Sequence, residues 1–93
     1  MKIRWDERKA VLNREKHGLE LVDFSRFEWT TAIFRPTYSS MYGGHRLRAT
    51  GILDGDLVTA VLGGLGTEAI SLISLRRASR AERREYEQSR EGS

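Results

Sequence analysis

The sequence predicts an α+β domain. An antiparallel sheet, formed by a three-strand C-terminal meander plus N-terminal strands, packs against two N-terminal helices and is followed by a polar C-terminal helix. Three observations carry this reading. Asp6 and Gly18 frame a stretch of about three helical turns near the start. Three β-rich segments, His45 to Leu53, Leu57 to Leu62 and Ala69 to Leu75, follow one another at regular spacing. Ser79-Arg80-Ala81-Glu82 has the form of a capping box. A length of 93 residues suits one domain, residues 1–93.

The elements follow in order. Lys2 to Trp5 reads as a short strand with Ile3 and Trp5 on one face. Asp6 then caps a helix over Glu7 to His17, and Gly18 supplies the left-handed stop. A second helix starts near Glu20 or Leu21 and carries Leu21, Val22, Phe24 and Phe27. Trp29 to Phe34 is rich in β-formers and reads as an edge strand that Pro36 ends. Thr37 to Gly44 reads as a loop. Asp54-Gly55 is a strong type I′ hairpin signal between the first two meander strands. Gly63 to Thr67 reads as the next turn; it lacks the Lys-Ser/Thr ending of a phosphate-binding loop. The last helix runs from the Ser79 cap to about Gln88. Its apolar residues are only Ala81 and Tyr86, so burial stabilises it little.

Composition narrows the function classes. The chain has no cysteine, which excludes disulfides and thiolate metal sites. No apolar run reaches the ~20 residues of a membrane span, and the charged start is unlike a secretory signal. The expectation is a soluble cytoplasmic protein. Net charge is +3. Its distribution says more than its size. Trp29 to Leu53 holds no acid but has Arg35, His45, Arg46 and Arg48, and Arg76 to Ser93 holds six arginines against four glutamates. Guanidinium offers a planar donor fork suited to phosphate. Scattered surface charge also serves solubility alone.

Two features point to chemistry. Lys9, Asn13, Lys16 and His17 lie near one side of the first helix, so an ammonium, an amide and an imidazole could together hold a phosphate. A solvated helix end that complements the dipole is the plainer account. On the first meander strand, alternation places Arg46, Arg48 and Thr50 on one face and Leu47, Ala49 and Leu53 on the other, which packs against helices. Strict alternation puts Arg76 with Ile70, Leu72 and Ser74, and strand register decides whether it joins the arginine pair. The two histidines, His17 and His45, lack partners at metal-ligand spacing. No serine–histidine–carboxylate arrangement and no working carboxylate pair is indicated. What remains is phosphate chemistry run by cationic groups without a metal or cofactor. Its template is RNA cleavage by the substrate's own 2′-hydroxyl, in which the protein moves protons and stabilises phosphorane charge.

These residues carry a resemblance. Trp5-Asp6, Lys9, Asn13, Lys16-His17-Gly18, then Arg46 five residues before Gly51, then Ile73-Ser74-Leu75-Arg76-Arg77 followed by Glu82 and Tyr86 together resemble the BrnT toxins of bacterial type II toxin–antitoxin systems, relatives in fold of the RelE ribonucleases. The resemblance spans nearly the whole chain. It implies a small RelE-like α+β domain that cleaves RNA and thereby stops translation. It also implies a BrnA-like antitoxin that neutralises the toxin and carries the contact with operator DNA, in a dimer or heterotetramer. Arg46 and Arg76 match the family's sheet arginines, while Lys9, Lys16 and His17 match its first-helix pattern. On this reading Arg46 and Arg76 hold the scissile phosphate, and His17 or Lys9 transfers protons. Arg48, Arg35, Lys16 and Arg77 are the further RNA contacts.

Two cationic positions common in the family are empty: Ser71 stands in the last strand, and Gly63-Gly64-Leu65-Gly66 at the end of the preceding one. That departure favours an alternative, an inactive module that binds the antitoxin and tunes repression. A third reading is a single-strand RNA binder using Tyr38, Tyr42 and Arg48. Surface that the chain leaves uncovered, the polar last helix included, is expected to meet the antitoxin.

Overall fold

The structure, a computed structural model, describes residues 2–38, 45–65 and 69–91. Strand β1 (Lys2–Arg4) leads into helix α1 (Glu7–His17). Two 3-10 turns follow, Leu21–Arg26 and Trp29–Thr31. Then come β2 (Ile33–Tyr38), β3 (His45–Leu53), β4 (Asp56–Leu65), β5 (Ala69–Arg77) and helix α2 (Arg80–Glu91). The five strands form one sheet in the order β1-β5-β4-β3-β2. The meander pairs antiparallel as expected, whereas β1 lies parallel to β5 through Ile3↔Ile70. The α+β class therefore stands, with a mixed sheet.

The local signals act where the sequence puts them. Asp6 accepts from the Arg8 amide at 2.8 Å, and Gly18 stops α1 at φ 71°. Asp54 and Gly55 both have positive φ, 50° and 86°, as a type I′ turn requires. Ser79 and Glu82 exchange reciprocal capping bonds of 2.8 and 3.2 Å.

Several expectations are corrected. The second helix is a six-residue 3-10 turn. Leu21, Phe24 and Phe27 are spaced by three, so a three-residue period brings all of them to the sheet, while Val22 stays exposed. Trp29–Thr31 is also a 3-10 turn, and the edge strand begins at Ile33. It runs through Pro36, which an edge strand tolerates, and so takes in Thr37 and Tyr38. The rest of the expected loop, residues 39–44, lies outside the described residues. Gly63 to Leu65 extends β4 rather than forming a turn, and residues 66–68 lie outside the described residues.

The sheet has two unlike faces. The core face carries Ala49, Leu53, Val58, Ala60, Leu62, Leu72 and Leu75, all buried and packed against Leu21, Phe24 and Phe27. Beyond these aromatics the same face opens into an apolar groove of about 710 Å³ lined by Ile3, Trp29, Phe34, Leu47, Leu62 and Ile70. Leu47, expected under the helices, is therefore half exposed.

The opposite face carries Arg48, Thr50, Thr59, Ser74 and Arg76, as the register Thr50↔Thr59↔Arg76 and Val61↔Ser74 requires. A bulge between Val61↔Ser74 and Leu62↔Leu72 leaves Ile73 unpaired and shifts the alternation of β5. Arg76 thus joins Ser74 on this face, and Leu72 turns to the core, against the strict alternation expected from the sequence.

Candidate active site

Helix α1 packs along β5. Asn13 fastens it there. Its side-chain amide donates to the Leu75 carbonyl at 2.8 Å and to the Leu19 carbonyl at 3.0 Å, and its Oδ1 accepts from the Leu75 amide at 2.9 Å. β1 pairs with β5 only from Ala69 to Ser71, so the backbone at Leu75 finds its partner in a side chain. Asn13 is buried with its amide fully committed, and the expected role of that amide in holding phosphate is replaced by a structural one.

The anchoring creates a cleft of about 370 Å³ between α1 and β5, lined by Lys9, Leu12, Lys16 and His17 on one side and Ile73, Ser74 and Arg76 on the other, with Asn13 at its base. Among the described residues no carboxylate lines it. Burial, with repulsion from Lys16 and then Arg76, pushes the His17 imidazole below its ordinary value. At neutral pH His17 is thus a neutral group able to accept a proton. The cleft suits a phosphodiester: four basic side chains converge, and no described lining residue carries a negative charge.

Behind Arg76, outside the cleft, stands Glu82, only 2% exposed. Its Oε1 accepts from Arg76 Nη1 at 2.6 Å, from the Ser79 amide at 2.8 Å and from Thr59 Oγ1 at 3.0 Å. Its Oε2 accepts from Arg76 Nη2 at 2.8 Å and Arg48 Nη1 at 2.7 Å. The Thr59 proton is spent on Glu82, so Thr50 must donate to Thr59 across their 2.9 Å contact. The bidentate bond from Arg76, outweighing the cost of burial, holds the Glu82 carboxyl far below the usual carboxylate range, and the same bond raises Arg76.

Of the eight residues expected to act on RNA, four line the cleft: Lys9, Lys16, His17 and Arg76. Arg48 joins them through Glu82. Arg35 pairs with Arg48 across β2 and β3 and is held by Glu85 at 3.0 Å. Arg46 shares the face of Arg76 but is not in the cleft; its pairing with Gly63 sets it two strands from Arg76 and four residues along, about 10 Å by about 13 Å away. Arg77 points from the opposite face, where it meets Asp56 at 3.8 Å. Sequence reading gave Glu82 a capping role and a place in the family resemblance, set Thr50 on the arginine face without a role, and overlooked Thr59. A buried cross-strand threonine pair below a capping glutamate is the signal that would have found them.

A mixed five-stranded sheet with an anchored helix and a cationic cleft defines the class, a small α+β domain equipped for anionic substrates. Residues 5–82 match the family described as the ribonuclease toxin BrnT of type II toxin–antitoxin systems. The chain belongs to this family. Among solved structures it is similar to the Brucella abortus ribonuclease toxin BrnT, with 37% identity and a TM-score of 0.69 over 86% of this chain and 99% of that one. No curated protein matches the chain. Membership implies a cognate antitoxin and an RNA substrate. Among the described residues no helix is long and apolar enough to cross a membrane.

Proposed function

We propose that this chain, acting as one domain in the cytoplasm, cleaves RNA without a metal ion. The observation that carries the reading is the cleft that joins Arg76 to Lys9, Lys16 and His17 with no acid among its described lining residues. Cations gathered this way attract a phosphodiester and repel a divalent metal.

In the reaction, His17 takes the proton of the 2′-hydroxyl. The 2′-oxygen forms a bond to the adjacent phosphorus, and the bond from phosphorus to the 5′-oxygen breaks. Lys9 gives that oxygen its proton, leaving a 2′,3′-cyclic phosphate and a 5′-hydroxyl. Arg76 and Lys16 neutralise the growing phosphorane charge. Arg46, at the far end of the same face, contacts the flanking backbone rather than the scissile group. Translation stops as messages are cut, and a BrnA-like antitoxin neutralises the activity and carries the contact with operator DNA, in a dimer or heterotetramer.

One observation favours the second reading, a module that binds antitoxin without cutting. Ser71, one position lacking the usual cation, pairs with Gly63, the first residue of the other cation-free run, and Gly63 pairs in turn with Arg46, so uncharged residues separate Arg46 from the cleft; Gly66, at the end of that run, lies outside the described residues. Incubation of the purified chain with long RNA, with and without chelator, decides between the two. Cutting that persists in chelator supports the enzyme, and an intact substrate at every protein concentration supports the module.

A further inference from the structure

We propose that Glu82 is a positioning residue for the cleft, fixing the Arg76 guanidinium so that its Nε edge is presented to the phosphate. The assignment rests on the reading of Arg76 given above. Arg76 spends one hydrogen of each terminal nitrogen on the two oxygens of Glu82. Nη1 makes a further long contact, 3.4 Å, to the Arg77 carbonyl. Among the described residues Nε donates to nothing. The free edge, Nε with the outer hydrogen of Nη2, is the fork that Arg26 uses on Asp54, at 2.8 and 2.7 Å. With one edge of the planar group clamped, the direction of the other is set.

Glu82 makes more bonds than its place at the start of α2 requires. It is the one described residue of α2 that is buried, and the helix is held by polar contacts: Glu82 and Glu85 to the sheet, the latter on Arg35, and Tyr86 to Thr31 of the second 3-10 turn at 3.4 Å. A helix cap needs one bond to the Ser79 amide. This carboxylate takes five donors, three of them guanidinium. Arg48, also held on Oε2, adds a second cation to the pair, so the cluster carries a surplus positive charge beside the cleft.

The test is Glu82→Gln, which keeps the side-chain length and the capping acceptor but removes the charge that grips two arginines. Single-turnover cleavage of RNA should slow by about 100-fold, the usual cost of a misplaced catalytic group. Affinity for an RNA carrying 2′-deoxyribose at the attack site, which binds but cannot be cut, should stay the same or tighten, because the site gains a net positive charge. A purely structural role would instead lower rate and binding together, in step with the folded fraction. Thr59→Val, which removes one clamp bond and leaves every charge, serves if Glu82→Gln does not fold, with a smaller loss of rate in the same direction. A parent chain that cuts while the folded variants cut equally well, or that loses rate and affinity in parallel on substitution, overturns the assignment alone. A parent chain that cuts nothing overturns the ribonuclease reading and this assignment with it.

Discussion

The carboxamide of Asn13 and the backbone of Leu75 close a two-bond ring, 2.8 and 2.9 Å, across 62 residues of sequence. The side chain acts as a one-residue strand at the uncovered part of the β5 edge. Because Leu75 lies between Ser74 and Arg76, the ring also fixes where the α1 cations stand relative to Arg76. Asn13→Ala leaves the Leu75 amide and carbonyl buried without partners and should destabilise the fold by about 2–4 kcal/mol, read from urea unfolding. Loss of less than about 0.5 kcal/mol would show that water replaces the ring.

Arg46 and Arg76 should separate in their effects. Arg46 forms no ion pair among the described residues, so Arg46→Ala should leave stability within about 0.5 kcal/mol while weakening RNA binding and growth arrest. Arg76→Ala removes the bidentate partner of a buried carboxylate and should cost about 3–5 kcal/mol as well as activity. Paired thermal melts and growth assays measure both. Equal destabilisation by the two variants would contradict the clamp.

Cleavage should depend on pH through His17. A base must be neutral to accept the 2′-hydroxyl proton, so activity is lost as pH falls through its folded value, which lies below the ordinary 6.5. The acidic limb of the rate profile should therefore fall below pH 6.5 and vanish in His17→Gln, whose residual rate is low and flat. An unchanged limb in that variant would assign the titration to another group.

Acid stability should depend on Glu82. Its carboxyl binds fewer protons when folded than when unfolded. The stability it contributes is therefore complete above the ordinary value of 4.5 and is lost progressively as pH falls below it toward the much lower folded value. Unfolding midpoints of the parent should drop more steeply below pH 4.5 than those of Glu82→Gln. Parallel curves would mean that the carboxylate is not held in solution as it is in the structure.

Gly51 should resist even alanine. A Cβ there would stand 2.8 Å from Cζ of Phe27 and 3.1 Å from Cβ of Ala32. The Phe27 ring is itself stacked on Phe24 at 4.7 Å and cannot swing clear. Gly51→Ala should cost about 1–3 kcal/mol in chemical denaturation, with the near-ultraviolet signal of the aromatic cluster altered.

What the sequence made legible was local. Asp6 with Gly18, Asp54-Gly55, and Ser79 with Glu82 each state a backbone geometry within a dozen residues, and each is met. The cationic stripe of α1 was readable for the same reason, since helical spacing alone puts Lys9, Lys16 and His17 together. The partners across the fold were not. Asn13 finds Leu75 62 positions away, and Arg48 finds Glu82 34 positions away, distances at which no periodicity speaks. The second helix was misread in type because apolar spacing of three and of four look alike over six residues. Strict alternation wrongly grouped Ile70 and Leu72 with Arg76 because a bulge leaves no mark in the pattern of side chains.

That unpaired residue at Ile73 has a wider consequence. It uncouples the parity of the two halves of β5: the first half answers to β1 and the groove, the second to Asn13 and the clamp. One extra position lets a single strand deliver leucine inward at both Leu72 and Leu75 and still turn Ser74 and Arg76 to the reacting side. Deleting Ile73 would restore perfect alternation and, in doing so, send either the hydrophobic set or the chemical set to the wrong surface.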